Sequence, residues 1–474
     1  MLKTGNKIKS NKAGGKYDSA SRNTLKATAK QKTILAEARA VFARYPYYKA
    51  SLRLICEKTG INHNLIRYHF GSKEKLFEAL VDGLIFELET GFAEFKADTS
   101  HTMPKESFTR FINVFLRTGF LYSDSMKIIM QNTGSRNVEP DYPGSGLLKA
   151  LTDIIQAKLL NNYEIKATEK ELTMWVTGFA MAFVCIIGAE DSLMIVSGFD
   201  QEPTGVRHRV ADFLITVFFP SFDYLLSGPS SKAYDDFEIL PTKPGVFDML
   251  RNGLPEYCDP PPATKGEITR KRILSAARTV FSKNSYDVGT IRMIGKEGGL
   301  DFTLIRHYFS SKEILFNDVV RDLFKEFNRE VLLVYKGLDK IKSTVEGHRL
   351  SSKRLVNHCF SSADALSIIM QNAARLGEME ISVPGLEYIM KFITATEEIV
   401  QNLETLNAPI DEIRYLLLFK ALILINGIGA ASVYARLHDM SPDGKKYQVW
   451  IYDIYNFLIY PLYSKLIVTY GTEI

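Results

Sequence analysis

Two stretches of the chain nearly repeat each other 239 residues apart: Leu65-Ile-Arg-Tyr-His-Phe-Gly-Ser-Lys-Glu-Lys-Leu-Phe77 and Leu304-Ile-Arg-His-Tyr-Phe-Ser-Ser-Lys-Glu-Ile-Leu-Phe316. The register extends upstream without a gap. Ile34, Leu35, Ala38 and Phe42 fall on Ile273, Leu274, Ala277 and Phe281, Ser51 and Arg53 fall on Thr290 and Arg292, and Gly60 falls on Gly299. A period this long is domain-sized rather than that of a solenoid. The chain therefore reads as one module written twice. Residues shared by the copies belong to the scaffold, and residues that differ belong to specificity.

Within each copy the apolar spacing is helical. Ile34, Leu35, Ala38, Val41 and Phe42 make one face of a first helix, and Ser51 is placed to cap a short second helix that stops near Gly60. Asn62 caps a third helix through His69, and Ser72 opens a longer fourth. The second copy keeps a capping type at each place, with Thr290, Asp301 and Ser311. Short helices separated by a tight Gly-containing turn form a helix-turn-helix unit. About 140 apolar, helix-patterned residues follow each unit, and the repeat persists there weakly: Ile128-Ile-Met-Gln-Asn132 recurs as Ile368-Ile-Met-Gln-Asn372, and Phe219-Pro220 as Tyr460-Pro461.

Charge distribution points to a polyanion partner. The chain is only +5 overall, with 59 Lys and Arg against 54 Asp and Glu. Yet residues 1–27 carry seven basic groups against one acidic, residues 28–80 ten against four, and residues 265–318 ten against six, which leaves −11 for everything else. Basic faces on acidic bodies are the footprint of nucleic-acid binding. The four cysteines are scattered without metal spacing, so reduced structural thiols are expected. The apolar runs 174–189 and 421–435 fall short of the roughly 18–20 residues a membrane span requires, which favours buried helices. No nucleophile elbow, phosphate-cradling Gly loop or metal-ligand spacing is found, so no enzyme is expected.

The repeated segments resemble the DNA-binding domain of TetR/AcrR-family transcriptional regulators. The matching pattern is Ile-Leu-x-x-Ala-x-x-x-Phe, then Thr/Ser-x-Arg, a Gly-hydrophobe turn, and His/Tyr-Phe-x-Ser-Lys-Glu-x-Leu-Phe, over roughly 50 residues in each copy. The resemblance implies an all-α fold of two tandem TetR-like modules. Each is an N-terminal three-helix helix-turn-helix domain followed by a helical ligand-binding and dimerisation domain, and the two pack as an intramolecular pseudo-dimer. The expected divisions are a disordered basic arm at 1–27, DNA-binding domains at 28–80 and 265–319, helical bodies at 81–226 and 320–474, and a Pro/Gly-rich linker at 227–264. The late apolar helices, rich in small residues around Gly178 and 426–431, are expected to join the halves as a four-helix interface. A cytoplasmic, nucleoid-associated bacterial protein is implied; a family member is usually a homodimer with one module per chain, so the tandem departs from the pattern.

A recognition helix reads base edges from the major groove while flanking groups hold phosphates. With Ile61, Ile66 and Phe70 in the core, His63, Asn64, Arg67 and Tyr68 face the groove in the first copy, and Phe302, Thr303, Arg306 and His307 in the second. Arginine suits guanine, asparagine suits adenine, and Phe or Thr suits a thymine methyl. A phosphate contact or a solvated face is the alternative for Arg67 and Arg306. Phosphate candidates are Ser51, Arg53, His69 and Lys73, with Thr290, Arg292, Tyr308 and Lys312; the serine and threonine can equally serve only as caps. The resemblance implies an apolar small-molecule effector, for which Phe120, Met126, Met130, Trp175 and Phe179 are candidates, although such stripes are more often plain core. The expected function is a ligand-responsive repressor reading an asymmetric operator. The alternative is a DNA-organising protein on the same scaffold without an effector.

Overall fold

The computed structural model describes residues 29–93, 103–133, 145–189, 203–230, 264–334, 344–373 and 408–470; the basic arm and most of the linker lie outside them. Every regular element among these residues is a helix. The first helix-turn-helix unit comprises α1 (Ala29–Arg44), α2 (Leu52–Thr59), α3 (His63–Phe70) and the start of α4 (Lys73–Ala93). The first body adds α5 (Pro104–Leu121), α6 (Ser123–Thr133), α7 (Ser145–Asn162), α8 (Glu169–Gly188) and α9 (Pro203–Ser227). The second unit repeats this as α10 (Lys265–Lys283), α11 (Ile291–Gly298), α12 (Phe302–Tyr308) and α13 (Lys312–Val334). Its body has α14 (Thr344–Ser361), α15 (Ala363–Ala373), α16 (Ile410–Gly429), α17 (Ala431–Leu437) and α18 (Lys445–Tyr470). Helices α4 and α13 run unbroken past residues 80 and 319, so each unit shares a continuous helix with its body.

The helix ends follow from local chemistry. Ser51, Asn62 and Ser72 accept hydrogen bonds from the backbone N–H groups of Leu54, Asn64 and Lys75, and Thr290, Asp301 and Ser311 do the same for Met293, Thr303 and Ile314. Each bond satisfies a donor that the first helical turn leaves free. Gly60 (φ +70°) and Gly299 (φ +58°) end α2 and α11 in the left-handed region, where a side chain would be strained.

Helices α8, α9, α16 and α18 pack on one another across the two halves, and the buried residues of both halves form one continuous hydrophobic core. Small residues permit the close approach. A Cβ on Gly178 would clash with Leu458 Cδ1, and one on Gly427 would lie 2.9 Å from Ile451 Cδ1. Aromatic edges fill the seam, with Phe218 4.8 Å from Phe419 and Phe213 5.3 Å from Tyr415 between ring centroids. Thr177 and His438 share a 3.1 Å hydrogen bond at its rim. Helix α8 extends beyond the uncharged run expected to be too short for a membrane, taking in Glu169 and Glu171 in its first turn. By length and composition both α8 and the 207–227 part of α9 match a span, but 89% of the apolar window of α8 is buried inside the protein, as suits a core helix.

Candidate DNA interface

The candidate groove face of α3 is built on one buried anchor. Ile66 is fully buried, Ile61 and Phe70 pack partly against the same core, and His63, Asn64, Arg67 and Tyr68 are exposed. Tyr68 stands out, with 84% of its surface exposed despite its large ring. On α12, Ile305 is the anchor and Phe302, Thr303, Arg306 and His307 are exposed. All eight groove candidates therefore lie on solvent faces of the two third helices.

The two faces differ in how their arginines are held. The Arg306 guanidinium lies 5.4 Å from the Phe302 ring centroid one turn earlier, a cation–π contact that pre-orients it. The place of Phe302 holds His63 in the first copy. Asp301 is held below the usual carboxylate range, chiefly because the Thr303 hydroxyl and backbone donate to it. The two helices also end differently: α3 continues to Phe70 and stops at Gly71 (φ +77°), whereas α12 stops at Tyr308 and Phe309 is extended and buried.

The phosphate candidates divide into two groups. Ser51 and Thr290 are exposed at the N-termini of α2 and α11 and cap them; capping is compatible with anion contact there. Arg53 is exposed but forms an i,i+4 pair with Glu57 at 2.8 Å. Lys296 occupies the place of Glu57 in the second copy, so that α11 keeps both Arg292 and Lys296 exposed and like-charged. Lys73 and Lys312 are tethered rather than free in solvent. Each donates to the carbonyl of the tyrosine in the preceding turn, Tyr47 or Tyr286, at 2.9 Å, and lies 4.0 or 4.1 Å from that ring. Partial burial pushes both ammonium groups below the ordinary lysine range. Two of the three N–H donors on each remain for other partners. His69 and Tyr308 are half-buried and pack edge-on against Tyr68 and His307.

Three features that sequence reasoning missed tie the units to their bodies or to each other. Arg39 on α1 bonds Glu87 on α4 at 2.8 Å and Asp124 on α6 at 2.9 Å, and Arg278 repeats this with Glu326 at 2.8 Å and Asp364 at 3.2 Å. The Tyr47 N–H donates to Asn132 Oδ1 at 2.8 Å and the Tyr286 N–H to Asn372 Oδ1 at 3.2 Å, while each asparagine also donates to the carbonyl four residues earlier. The repeated Ile-Ile-Met-Gln-Asn segment was the visible signal, and its role is to latch the α1–α2 turn onto the body. Lastly, Lys49 and Asp287, in the corresponding turns of the two units, form a 3.2 Å ion pair that joins the units directly.

The five candidate effector residues are not gathered at one place. Trp175 and Phe179 stack in the buried aromatic core at 5.0 Å, and the Trp175 indole N–H has no partner among the described residues. Met126 and Met130 are buried where α6 crosses α8 at Gly188. Phe120 is half-buried beneath the Arg207 guanidinium, 4.8 Å away. A separate open cavity of about 340 Å³ lies between the end of α14 and α17–α18, walled by Phe360, Asp364, Ser432, Asp443 and Gln448. No cluster able to hold a metal occurs among the described residues.

Residues 34–80 and 273–319 each match the family described as bacterial regulatory proteins, tetR family. No curated protein matches the chain.

Proposed function

From a chain that belongs to the tetR family of regulatory proteins and carries two of its DNA-binding modules in tandem, we propose a single-chain pseudo-dimer that reads an asymmetric operator and represses transcription until an effector binds. DNA binding through the helix-turn-helix units and a role in transcription regulation come with the modules. The asymmetry rests on one observation: two recognition helices on equivalent scaffolds present His63-Asn64-Arg67-Tyr68 and Phe302-Thr303-Arg306-His307. A homodimer presents the same face twice and so reads a palindrome; this chain presents unlike faces from one body. Each face would enter the major groove at half-sites about one turn, roughly 34–36 Å, apart.

The same connections supply a route for response to an effector. Helices α6 and α15 bear on α1 and α10 through the Arg39 and Arg278 pairs, and on α8 and α16 at Gly188 and Gly429. They also touch each other across the halves. An effector that moves a body helix would therefore alter the spacing of the two units, and its differential affinity for the two spacings sets how far binding shifts.

Selection of bound DNA from a random pool, followed by footprinting, tests the reading. The expected site has two dissimilar half-sites, with α3 on one and α12 on the other. Equal affinity for the two palindromes made by symmetrising each half-site would refute the asymmetric reading.

A further inference from the structure

The two bodies differ most where they should be alike. Gly188 and Gly429 align α8 with α16, Asp124 and Asp364 align α5–α6 with α14–α15, and Pro220 and Pro461 align α9 with α18. In that register Phe108, Ile112, Phe179 and Phe222 of the first body become His348, Ser352, Lys420 and Tyr463 of the second. The geometry supports the alignment. The Phe108 ring lies 4.4 Å from Phe222 and 5.9 Å from Phe219, and the His348 ring lies 5.4 Å from Tyr463 and 5.2 Å from Tyr460. One copy fills the position with hydrocarbon, and the other places an ammonium, an imidazole and a hydroxyl there.

Those polar groups find no partner among the described residues. His348 is only 5% exposed and, among the described residues, its Nε2 has no partner; Ser352, one turn further along the same helix face, is 2% exposed and its hydroxyl has none there either. Lys420 is half-buried, with its ammonium 5.9 Å from the Tyr463 ring, and pairs with no carboxylate among the described residues. Burial pushes its ammonium down to about 8, and burial followed by the Lys420 and Arg349 charges pushes His348 down to about 3. Buried polar groups without partners are costly, and their recurrence at one point is a sign of a missing partner.

We propose that the second body, and not the first, binds an organic carboxylate, with its oxygens on Lys420, Ser352 and His348 and its apolar part among Tyr460 and Tyr463. An anion supplies the charge that Lys420 lacks and accepts from the Ser352 hydroxyl and a neutral imidazole N–H. The corresponding place in the first body, closed by Phe108, Phe179 and Phe222, has no ammonium, imidazole or hydroxyl at the equivalent positions; the Trp175 indole N–H beside those rings is a neutral donor without a counter-charge. The site rests on the effector reading above only for its consequence on DNA.

Calorimetric titration of the full chain at pH 7 with benzoate and decanoate, each against its neutral amide, tests the site and separates aromatic from alkyl carboxylates. At least one carboxylate is expected to bind at one site per chain, at least tenfold more tightly than its amide. Lys420→Met is expected to weaken it at least tenfold, and Ser352→Ala about threefold while leaving the charge in place. Binding of neither carboxylate, or undiminished binding to Lys420→Met, overturns the proposal. Gel-shift of operator DNA with the same ligands separates the two readings. Lys420-dependent binding that leaves DNA affinity unchanged keeps the site and removes the effector role. Release of DNA by an amide from Lys420→Met protein keeps the effector role and removes this site.

Discussion

Alanine at Gly429, compared with alanine at Gly188, measures how tightly the DNA-linked helices are pressed onto the bodies. A Cβ on Gly429 would stand 2.6 Å from the Leu366 carbonyl oxygen and 2.9 Å from its carbon, and both atoms belong to the backbone of α15. Ordinary carbon-to-oxygen contacts there run about 3.3–3.6 Å, so α15 must retreat by roughly 0.7–1 Å. At Gly188 the nearest atom is the Met126 oxygen at 3.0 Å, with the flexible Met130 sulfur at 3.2 Å, and a few tenths of an ångström suffice. Overpacking a tight contact costs about 1–3 kcal/mol, against less than about 1 kcal/mol gained by alanine at a helix end. Gly429→Ala should therefore lose about 1–2 kcal/mol, and Gly188→Ala should lie within about 1 kcal/mol of the parent. Urea unfolding followed by tryptophan fluorescence reads this from the core, since the two tryptophans, Trp175 and Trp450, are buried there. Because α15 also carries Asp364 and Asn372, Gly429→Ala should weaken contact at the second half-site more than at the first. A Gly429→Ala protein as stable as the parent, or a Gly188→Ala protein equally damaged, would refute the reasoning.

Three further outcomes are expected. Arg67→Ala and Arg306→Ala should each cost about 1–3 kcal/mol at its own half-site and relax base preference there, and Phe302→Ala should weaken only the α12 half-site with the salt slope unchanged; a uniform loss across sequences in quantitative footprinting would assign these arginines to phosphates instead. His348 is held neutral in the fold, from 6.5 down to about 3, so the unfolded chain takes up its proton first on acidification. Stability should fall as pH drops from 6.5 towards 3, by up to about 5 kcal/mol from this group, and His348→Phe should flatten that part of a thermal-melt series; an unchanged slope would contradict its burial as the neutral form. Reversing Lys49 to Asp should cost no more than about 1 kcal/mol, should fade in high salt, and should be restored by Asp287→Lys, as read by operator affinity in a double-mutant cycle; failure of the double variant to recover would show that the Lys49–Asp287 pair does not set the spacing of the units.

Much of the local structure of the candidate face was legible in the residues alone, because a helix-turn-helix unit is assembled from short-range rules. Caps at Ser51, Asn62 and Ser72, the left-handed Gly60, and the period placing Ile66 inward all act within a few residues, and each has a composition signature. The exposure of Arg67 and Tyr68 follows from the same period. What tethers Lys73 and Lys312 was not legible, since their acceptors Tyr47 and Tyr286 lie 26 residues away. Asn132 and Asn372 were visible as a repeat but silent as to purpose, because their partners are reached only when the body folds back on the turn.

The repeat itself established that the chain is one module twice, with a shared scaffold and unlike residues on its two candidate groove faces; that conclusion needs only identity, spacing and local propensity. That the late helices join the halves was expected from their small residues; tertiary structure decided which residues of α8, α9, α16 and α18 meet, and where the copies cease to be equivalent. The body helices drift from an offset of 239 to 241 residues, so Lys420 falls opposite Phe179 only once Gly429 is seen pressed against α15 as Gly188 is against α6. Apolar patterning states that a helix face is buried but not against what, because hydrophobic burial is non-directional. The unpaired polar cluster at His348 exists only in the packed body, where desolvation turns ordinary side chains into groups that lack a partner.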